Sequence, residues 1–378
     1  MPLATIRIEK IGGGAAMGAA IAIAAGGGGD AVTAAMLGTA MPDLDIKAVM
    51  SYSWDRFMID PAPGPRTRDD FEGLRIRHGV LEIPVTAALK KGRSTLPRLA
   101  GYLDRPLLLL EAAAGAVGIA ELIRCAATAF DATQVIVVDA GGDILAEGHE
   151  ASLRTPLADS LALAAAVRSG MHTRVIVAGM GLDGELSGPE LDLRLDKLGA
   201  RQVSELTPRD AAPLADIWSW HPSEANALLA AAADGWRGRV ETQRSAVVSL
   251  TAAATYVYEL EAERLFEASL AAPLVSTTSL DEAEQLLRDR RSGRSELDVE
   301  RRRAAGEQAE IRMPTAEVLD VIDQYVDRAQ NRVDALTVRR VAEMVHAIEP
   351  SATEALRELL RRFRPSHFRP PLYAVRPV

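Results

Sequence analysis

Carboxylates gather around two glycine turns in the first half of the chain, and each turn follows an apolar run. The acidic residues are Asp139, Asp143, Asp183 and Glu185, and the glycines beside them are Gly141, Gly142 and Gly181. Carboxylate oxygens bind hard cations such as Mg²⁺, and carboxyl groups also carry protons in general acid–base catalysis. We therefore predict Asp139, Asp143 and Asp183 as metal ligands. Asp143 and Glu185 are also candidate catalytic residues, and the three glycines are candidates for contact with a ligand.

A third turn of the same design lies near the start of the chain. Gly26, Gly27, Gly28 and Gly29 stand in a row before Asp30 and behind the apolar residues 19–25. Glycine can adopt positive φ and lie against a ligand, and a helix that begins after such a turn points free N–H groups at an anion. We predict that the four glycines bind phosphate or carboxylate. Asp30 is predicted to be both the N-cap of a helix over residues 31–41 and a ligand in the pocket.

The segment between residues 53 and 66 combines an aromatic ring, two arginines and a run of prolines. Trp54 can stack on a base or pack the loop, and Arg56 and Arg66 can bind a phosphate or carboxylate with two hydrogen bonds. Arg56 can equally pair with a neighbouring aspartate. Three prolines between residues 60 and 66 exclude a helix or an inner strand, so we predict a rigid loop. Arg56 is the candidate for neutralising charge during catalysis.

Two histidines have suggestive neighbours. His149 lies between Glu147 and Glu150 and is a candidate general base or metal ligand, although a loop histidine without a role fits the same pattern. His221 follows two tryptophans at the start of a helical segment, and we predict that it contributes to the wall of a pocket.

The apolar runs that carry these turns predict an α/β fold. Strands are predicted at residues 20–25, 46–50, 107–110, 134–138 and 174–178, and helices at residues 31–41, 96–103, 114–130, 156–169 and 188–198. Short apolar strands that alternate with helices indicate a Rossmann-like, mostly parallel sheet with helices on both faces. Ligands bind at the carboxyl ends of such strands, so the acidic turns are expected to meet there. Two carboxylates about 4 Å apart repel by on the order of 4 kcal/mol at an effective dielectric constant near 20, so their convergence requires a cation, a basic partner or a raised pKa.

The pattern becomes mainly helical after about residue 200. Helices are predicted at residues 211–233, 244–270, 280–290, 297–312, 316–330, 335–346 and 353–363. We predict three parts, which are an α/β ligand-binding core over residues 1–205, a mainly helical part completing the same domain over residues 206–310, and a helical C-terminal extension with a proline-rich tail over residues 311–378.

Composition argues against several classes of partner. The net charge of −9 argues against nucleic-acid binding, which needs a basic surface. No apolar run reaches the roughly 20 residues that span a bilayer and no secretory signal is evident, so we expect a cytoplasmic protein without a membrane partner. The single cysteine, Cys125, excludes an intrachain disulfide, and the apolar pattern around it predicts a buried residue. A homo-oligomer is compatible with the sequence.

Taken in order along the chain, these motifs resemble the bacterial and archaeal family catalogued as domain of unknown function 1152. The matching pieces are residues 26–30, 54–66, 138–150, 157–159, 181–186, 278–283 and 296–300. They span roughly residues 15–305 in the right order. The family name carries no reaction, so the resemblance implies a shared site geometry and leaves the chemistry open.

Three functions are compatible with these residues. The leading hypothesis is a Mg²⁺-dependent enzyme of small-molecule metabolism that acts on a nucleotide such as ATP, or on another phosphorylated metabolite, by transfer or ligation. The second is a metal-independent lyase or cyclase acting on a small carboxylic acid, with Asp143, His149 or Glu185 moving protons. The third is a non-catalytic metabolite sensor.

Overall fold

The computed structural model of the protein describes residues 18–306 and 312–377. The remaining residues, which include the end of the helix predicted over 297–312, lie outside this description. The helices are α1 (Gly28–Ala40), α2 (Leu96–Ala100), α3 (Gly115–Ala129), α4 (Pro156–Arg168), α5 (Gly188–Leu198), α6 (Pro208–Ala211), α7 (Ala225–Ala233), α8 (Ala262–Glu267), α9 (Leu280–Arg290), α10 (Glu296–Ala304), α11 (Glu317–Ala329), α12 (Val338–Met344) and α13 (Pro350–Phe363). The strands are β1 (Ala20–Ala24), β2 (Ile46–Ser51), β3 (Phe71–Glu72), β4 (Arg75–Arg77), β5 (Val80–Glu82), β6 (Ala88–Leu89), β7 (Leu107–Leu109), β8 (Gln134–Ala140), β9 (His172–Ala178), β10 (Arg201–Glu205), β11 (Gly238–Glu241), β12 (Val247–Leu250), β13 (Tyr256–Glu261), β14 (Ala335–Thr337), β15 (Phe368–Arg369) and β16 (Leu372–Ala374). Every helix in this part of the chain is too short or too polar to span a lipid bilayer.

Five parallel strands form the centre of a nine-stranded sheet. Their spatial order is β7-β2-β1-β8-β9. β13 at one edge and β5 at the other pair antiparallel with these strands, and the outermost strands β10 and β4 pair antiparallel with β13 and β5. β1 lies in the middle, where Ile23 is opposite Met50 of β2 and Val137 of β8. The chain adds strands on one side of β1 first and on the other side afterwards. This change of direction opens a crevice beside the carboxyl ends of β1 and β8.

Both faces of the central sheet are covered, which confirms the predicted α/β fold and the five predicted strands. Helices α1, α2, α6 and α7 pack on one face, and α3, α4, α5, α8 and α9 pack on the other. Neighbouring side chains of one strand enter different cores, so Ala22 faces the first layer and Ile23 the second. Strands buried on both faces need apolar residues at every position, which is why the runs do not alternate with polar residues.

The C-terminal region contributes strands as well as helices. A second sheet has the order β12-β11-β14-β16-β15, so strands from residues 335–374 complete a sheet that begins at Gly238. β14 occupies the start of the helix predicted over residues 335–346, because its apolar residues are buried between β11 and β16. Helices α11, α12 and α13 form a separate core that includes Met58 of the proline-rich loop. Residues 312–377 therefore pack against the rest of the protein and do not form a purely helical extension.

The two long helices predicted between residues 211 and 270 are wrong. Residues 211–233 divide into the end of α6, a 3₁₀ helix (Ala212–Ser219) and α7, since Pro213 and Pro222 remove backbone donors and restrict the residue before each. Residues 244–270 contain β12, β13 and α8. In β13 the aromatic and β-branched residues Tyr256, Val257 and Tyr258 favour an extended chain, which pairs with β9 in the central sheet.

Cys125 is exposed, so the prediction of a buried thiol is wrong. α3 turns Ile119, Ile123 and Ala126 towards the sheet. Successive helical residues are about 100° apart, and position 125 therefore falls on the opposite, solvent-facing side.

Glu241 of β11 joins the second sheet to α11 and α12, and its substitution tests how much this connection stabilises the protein. Its fully buried carboxylate accepts hydrogen bonds from Tyr325 Oη (2.5 Å), Arg332 Nη2 (2.6 Å) and Arg340 Nε (2.9 Å). We expect Glu241→Ala to lower the free energy of unfolding by about 3 kcal/mol, because it leaves Arg340 without its buried counter-charge. Urea denaturation measures this change.

The control for Glu241→Ala is Glu354→Ala, which removes an exposed ion pair with Arg93 and should change stability by less than about 1 kcal/mol. If both variants change the free energy of unfolding equally little, Glu241 does not hold the sheet to the helices.

Candidate functional site

A cavity of about 500 Å³ opens at the carboxyl ends of β1 and β8, where the topology separates the strands. Its walls come from the glycine turn before α1, the loop around residues 54–62, the start of α4, the start of α7, and α10. Cavities of roughly 300–1,000 Å³ are typical of sites for small molecules.

Three buried carboxylates, which we call the acidic centre, converge in this cavity. They are Asp30, Asp139 and Asp159, and one oxygen of each lies within 4.8 Å of the others. Asp30 is in the first turn of α1, Asp139 is near the end of β8, and Asp159 is near the start of α4. Each side chain is at most 4% exposed.

Backbone N–H groups orient two of the three carboxylates. Asp30 Oδ2 accepts the N–H of Gly26 at 2.6 Å, and Asp139 Oδ2 accepts the N–H of Gly142 at 2.9 Å. Asp159 Oδ1 is buried and accepts no hydrogen bond from the described residues. The acidic centre therefore contains an acceptor atom that the described part of the chain leaves unused.

Burial raises the pKa of all three carboxyls. It raises the pKa of Asp30 to about 7, against the lowering effect of the Gly26 hydrogen bond. For Asp139 the pKa is raised by burial and then by the charge of Asp30, and for Asp159 it is raised by burial and then by the charge of Asp139. Two charges 4.8 Å apart repel by about 3 kcal/mol at an effective dielectric constant of about 20. The three carboxylates therefore need protons or a cation near neutral pH.

Asp143 and Asp183 line the same cavity. Burial, followed by the charges of Asp159 and Asp139, raises the pKa of Asp143 well above its usual range. Burial raises the pKa of Asp183 to about 7. Asp183 Oδ2 is buried without a hydrogen-bond partner in the described part of the chain, and a Cβ on Gly141 would collide with it. The strand-end carboxylates predicted from the sequence therefore do meet in one cavity.

Glu185 holds the start of α4. Its carboxylate accepts hydrogen bonds from Arg154 N (2.6 Å), Thr155 N (2.9 Å) and Thr155 Oγ1 (2.8 Å). These contacts fix the turn that leads into α4 and so position Asp159 on the first turns of that helix. Glu185 was predicted as a catalytic residue, and the hydrogen bonds that it forms here position the start of α4.

α1 begins at Gly28, three residues earlier than predicted. Gly27 precedes it as the N-cap with φ 104°, a conformation that only glycine adopts readily. Asp30 is therefore not the N-cap, and its carboxylate reaches back from the third helical position to Gly26. Gly28 and Gly29 line the cavity in the first turn, where helical N–H groups have no intrahelical acceptor.

Polar side chains approach Gly28 and Gly29 so closely that a larger residue there would require its neighbours to shift. A Cβ on Gly28 would lie 3.1 Å from Thr95 Oγ1. A Cβ on Gly29 would collide with Asn226 and Ser223. The glycines therefore allow the helix terminus to pack directly against polar groups of the cavity wall.

α10 closes another side of the cavity through two glutamates. Glu296 accepts the N–H of Leu157 at 2.9 Å. Glu300 accepts hydrogen bonds from Trp54 Nε1 at 3.0 Å and 3.1 Å and from Gly64 N at 2.8 Å. α10 is thus joined to the start of α4 and to the proline-rich loop.

Comparison with protein families adds one finding. The family model described as "Protein of unknown function (DUF1152)" matches residues 21–304. The chain belongs to the DUF1152 family. The resemblance carried by the sequence motifs is therefore confirmed. No curated protein and no solved structure matches the chain. The DUF1152 match contains the acidic centre, the glycine turns and α10, and it ends before α11.

The two arginines of this DUF1152 protein that were predicted to bind a phosphate or carboxylate have different surroundings. Arg66 donates to both oxygens of Asp60, at 2.6 Å from Nε and 2.8 Å from Nη2, and is not on the cavity lining. Arg56 is exposed on the cavity lining, and its guanidinium forms no hydrogen bond or ion pair with the residues described, but its positive charge acts on Asp30 and opposes the rise in the pKa of that carboxyl. Trp54 lines the cavity half-buried and is held by Glu300.

Several predicted site residues lie outside the cavity lining, namely Gly27, Gly141, Gly142, Gly181 and His149. The His149 side chain is 73% exposed, with Nδ1 3.8 Å from Glu147. Gly142 donates its N–H to Asp139, and Gly181 donates its N–H to the carbonyl of Gly141. These two glycines shape the turns and orient the carboxylates.

Asp159 is the main site residue that the sequence reasoning missed. It belongs to a helix, whereas the carboxylates predicted as ligands follow strand ends. Its signal in the sequence was the motif at residues 157–159, one of the pieces that carry the family resemblance. His221 was predicted as a wall residue, and it is 5% exposed on the cavity lining.

Glu296 makes the stability of this DUF1152 protein depend on pH. Burial raises the pKa of its carboxyl from 4.5 to about 8. The contribution of the protonated group to stability is therefore fully present below about pH 4.5 and is lost as the pH rises through about 8. We expect thermal unfolding in EDTA to show a fall in wild-type stability over this range and a flatter profile for Glu296→Gln, whose amide oxygen still accepts from Leu157.

The matched control for Glu296→Gln is Glu358→Gln, whose carboxyl is 68% exposed on α13 and should leave the wild-type profile unchanged. Parallel profiles for Glu296→Gln and the wild type would contradict this assignment.

Proposed function

We propose that this DUF1152 protein is an enzyme of small-molecule metabolism that binds a nucleotide such as ATP, or another phosphorylated metabolite, together with Mg²⁺, and catalyses a transfer or ligation. The acidic centre is the observation that carries this proposal, because three buried carboxylates converge there and none forms an ion pair within the described residues. The cavity volume of about 500 Å³ is compatible with a ligand of nucleotide size.

Asp30, Asp139 and Asp159 are the proposed ligands of the metal. All three offer oxygen, which Mg²⁺ prefers, and Asp159 Oδ1 has no competing hydrogen bond from the described chain. A bound Mg²⁺ would supply positive charge to phosphate oxygens. Asp143, which contacts Asp139, and Asp183 were predicted as ligands, and we propose that they orient water molecules around the ion.

The glycine turn is the proposed phosphate site. The strand order about β1 supports a Rossmann-like reading of the sheet, and in such sheets phosphate groups bind between the first strand and the helix that follows it. The first-turn N–H groups of Gly28 and Gly29 and the dipole of α1 favour an anion. Asp30 in the same turn repels a bare phosphate. We therefore propose that phosphate binds only together with the cation.

Arg56 is proposed to neutralise charge on the transferred group, because it lines the cavity near enough to the acidic centre for its charge to act on Asp30, and its guanidinium forms no hydrogen bond or ion pair among the described residues. The loop that carries it is held by the Arg66–Asp60 pair and by Met58 in the C-terminal core.

A metal-independent lyase or cyclase acting on a small carboxylic acid is the second candidate. Asp183 favours it, since its pKa of about 7 allows proton exchange near neutral pH and its Oδ2 has no hydrogen-bond partner within the described residues. In that case the glycine turn would bind the substrate carboxylate.

Asp139→Asn and Asp159→Asn are expected to abolish Mg²⁺-dependent ligand binding, because each removes a negative charge and a ligand atom from the acidic centre. A thermal-shift screen with ATP, NAD, S-adenosylmethionine and sugar phosphates, each with and without Mg²⁺, measures this. Asp289→Asn, at an exposed position of α9 outside the cavity lining, is the control and should behave as the wild type.

The same screen can reject the proposed function. If no phosphate compound stabilises the wild type at low millimolar concentration, the proposal is wrong. Stabilisation by an unphosphorylated acid without an effect of Mg²⁺ would favour the lyase or cyclase.

Arg56→Gln is expected to weaken binding of the ligand found in that screen about 10-fold or more, as loss of a charge-assisted hydrogen bond does. Its melting temperature should stay unchanged, since Arg56 is exposed and makes no ion pair with the described residues. Arg66→Gln is the matched variant and should lower the melting temperature, because it leaves the buried Asp60 unpaired. Titration calorimetry and thermal unfolding separate the two effects, and unchanged affinity in Arg56→Gln would exclude the role given to Arg56.

A further inference from the structure

His221 carries a hydrogen-bond donor that the described residues do not use. Its Nδ1 accepts the N–H of Ser223 at 3.3 Å, which leaves Nε2 as the protonated nitrogen of the neutral ring. Nε2 is buried and has no hydrogen-bond partner among the described residues. Because an unpaired buried donor destabilises a folded protein, an acceptor from outside the described residues is expected at this place.

The unused donor faces the first turn of α1. His221 Nε2 lies 3.4 Å from the position that a Cβ on Gly28 would occupy, and both residues line the cavity. The first turn of α1, with its free N–H groups, and the imidazole N–H therefore border the same part of the cavity, together with the Thr95 hydroxyl, which lies 3.1 Å from the same Cβ position and donates to Asp55 Oδ1. All of these groups donate hydrogen bonds, so this volume suits an acceptor.

Aromatic packing fixes the orientation of the His221 ring. The rings of Trp218 and Trp220 stand edge-on to it, with centroids at 6.1 Å and 5.4 Å. Arg98 stacks on Trp220 at 4.3 Å from the ring centroid and supports it from outside. Burial, and next the charge of Arg357, lowers the pKa of His221 to about 3, so the ring donates a hydrogen bond without carrying a charge.

The opposite end of the glycine turn has the reverse chemistry. A Cβ on Gly26 would lie 3.4 Å from Asp159 Oδ1, the unused acceptor of the acidic centre. Two residues of backbone therefore separate a place that suits a cation from a place that suits an anion. A phosphate group with its bound cation has this arrangement of charges.

We propose that His221 Nε2 donates a hydrogen bond to a phosphate oxygen seated at the first turn of α1, and that His221 is thereby a specificity-determining residue. The proposal rests on the proposed function and adds the position of the ligand. The phosphate lies at the Gly28 end of the turn against His221, and the cation lies at the Gly26 end against Asp159.

The test compares His221→Gln with His221→Met. The two side chains are similar in length and volume, but glutamine can place an N–H near the position of Nε2 and methionine places a methyl group there. The probes are Mg²⁺-pyrophosphate, Mg²⁺-ADP and succinate, and titration calorimetry gives the dissociation constants. We expect the methionine variant to bind the two phosphate probes about 10-fold or more weakly, and the glutamine variant to stay within about threefold of the wild type.

The melting temperature of the ligand-free variants provides a second readout. His221→Met removes the unpaired donor, so its ligand-free melting temperature should equal or exceed that of the wild type. A residue that only supports the fold would lower the melting temperature in both variants and would not distinguish them by affinity.

Three outcomes overturn the proposal in distinguishable ways. Equal affinity of the wild type and both variants for the phosphate probes excludes the role of His221 and leaves the proposed function standing. Weaker binding of succinate alone by His221→Met shows that the donor serves a carboxylate. Failure of the wild type to bind either phosphate probe overturns the proposed function and this inference with it.

Nitrogen NMR on histidine-labelled wild type keeps the proposal testable if His221→Met does not fold. The Nε2–H signal of His221 should be present without ligand and should shift when Mg²⁺-pyrophosphate is added. An Nε2 signal that does not respond to saturating pyrophosphate would overturn the proposal without the use of any variant.

Discussion

Buried negative charge at the carboxyl ends of β1 and β8 is the constraint on which the rest of the site depends. Asp30, Asp139 and Asp159 lose most of their hydration and repel one another, so the surrounding structure must offset their charge. The first turns of α1 and α4 carry two of these residues, and the positive ends of both helix dipoles therefore lie beside them. The N–H groups of Gly26 and Gly142 add direct hydrogen bonds. These contributions are incomplete, because burial still raises the pKa of all three carboxyls.

The same constraint explains why the turn before α1 is made of glycine and why it differs from a dinucleotide site. A Cβ on Gly26 would lie 2.9 Å from Asp30 Oδ2, and Cβ atoms on Gly28 and Gly29 would press on the polar wall opposite. The absence of a side chain therefore matters most for close approach at Gly26 and Gly29, and a positive φ occurs only at Gly27 within the run. In a dinucleotide site the pyrophosphate meets uncharged backbone at the helix start. Here Asp30 lies in that first turn, and its carboxylate, when ionised, opposes the binding of an anion.

The sequence predicted the parts of the fold that depend on local pattern. The five central strands are continuous apolar runs because both of their faces are buried, and the carboxylates behind them were recognisable for that reason. β13 was mistaken for helix because the alanines at residues 252–254, directly before it, favour a helix. The strand itself forms by pairing with β9, which local sequence does not show. Asp30 lies close to Asp139 because β8 is beside β1, and strand order is a property of the whole sheet. Asp159 and Glu296 were missed because each reaches the cavity from a helix, where an acidic residue in the first turn usually serves the helix itself.

The wall opposite the acidic centre depends on residues beyond the family match. Glu224, directly before α7, accepts hydrogen bonds from Thr337 Oγ1 of β14 and from Gln243 N at 3.1 Å, and Arg339 of α12 lies 3.8 Å from it. These contacts hold the short segment that begins at His221, so the unused imidazole donor is positioned partly by the second sheet. The acidic centre lies within residues 21–304, whereas β14 and α12 lie outside them. The family match therefore includes the carboxylates at the strand ends, whereas residues beyond it help to hold the wall that faces them.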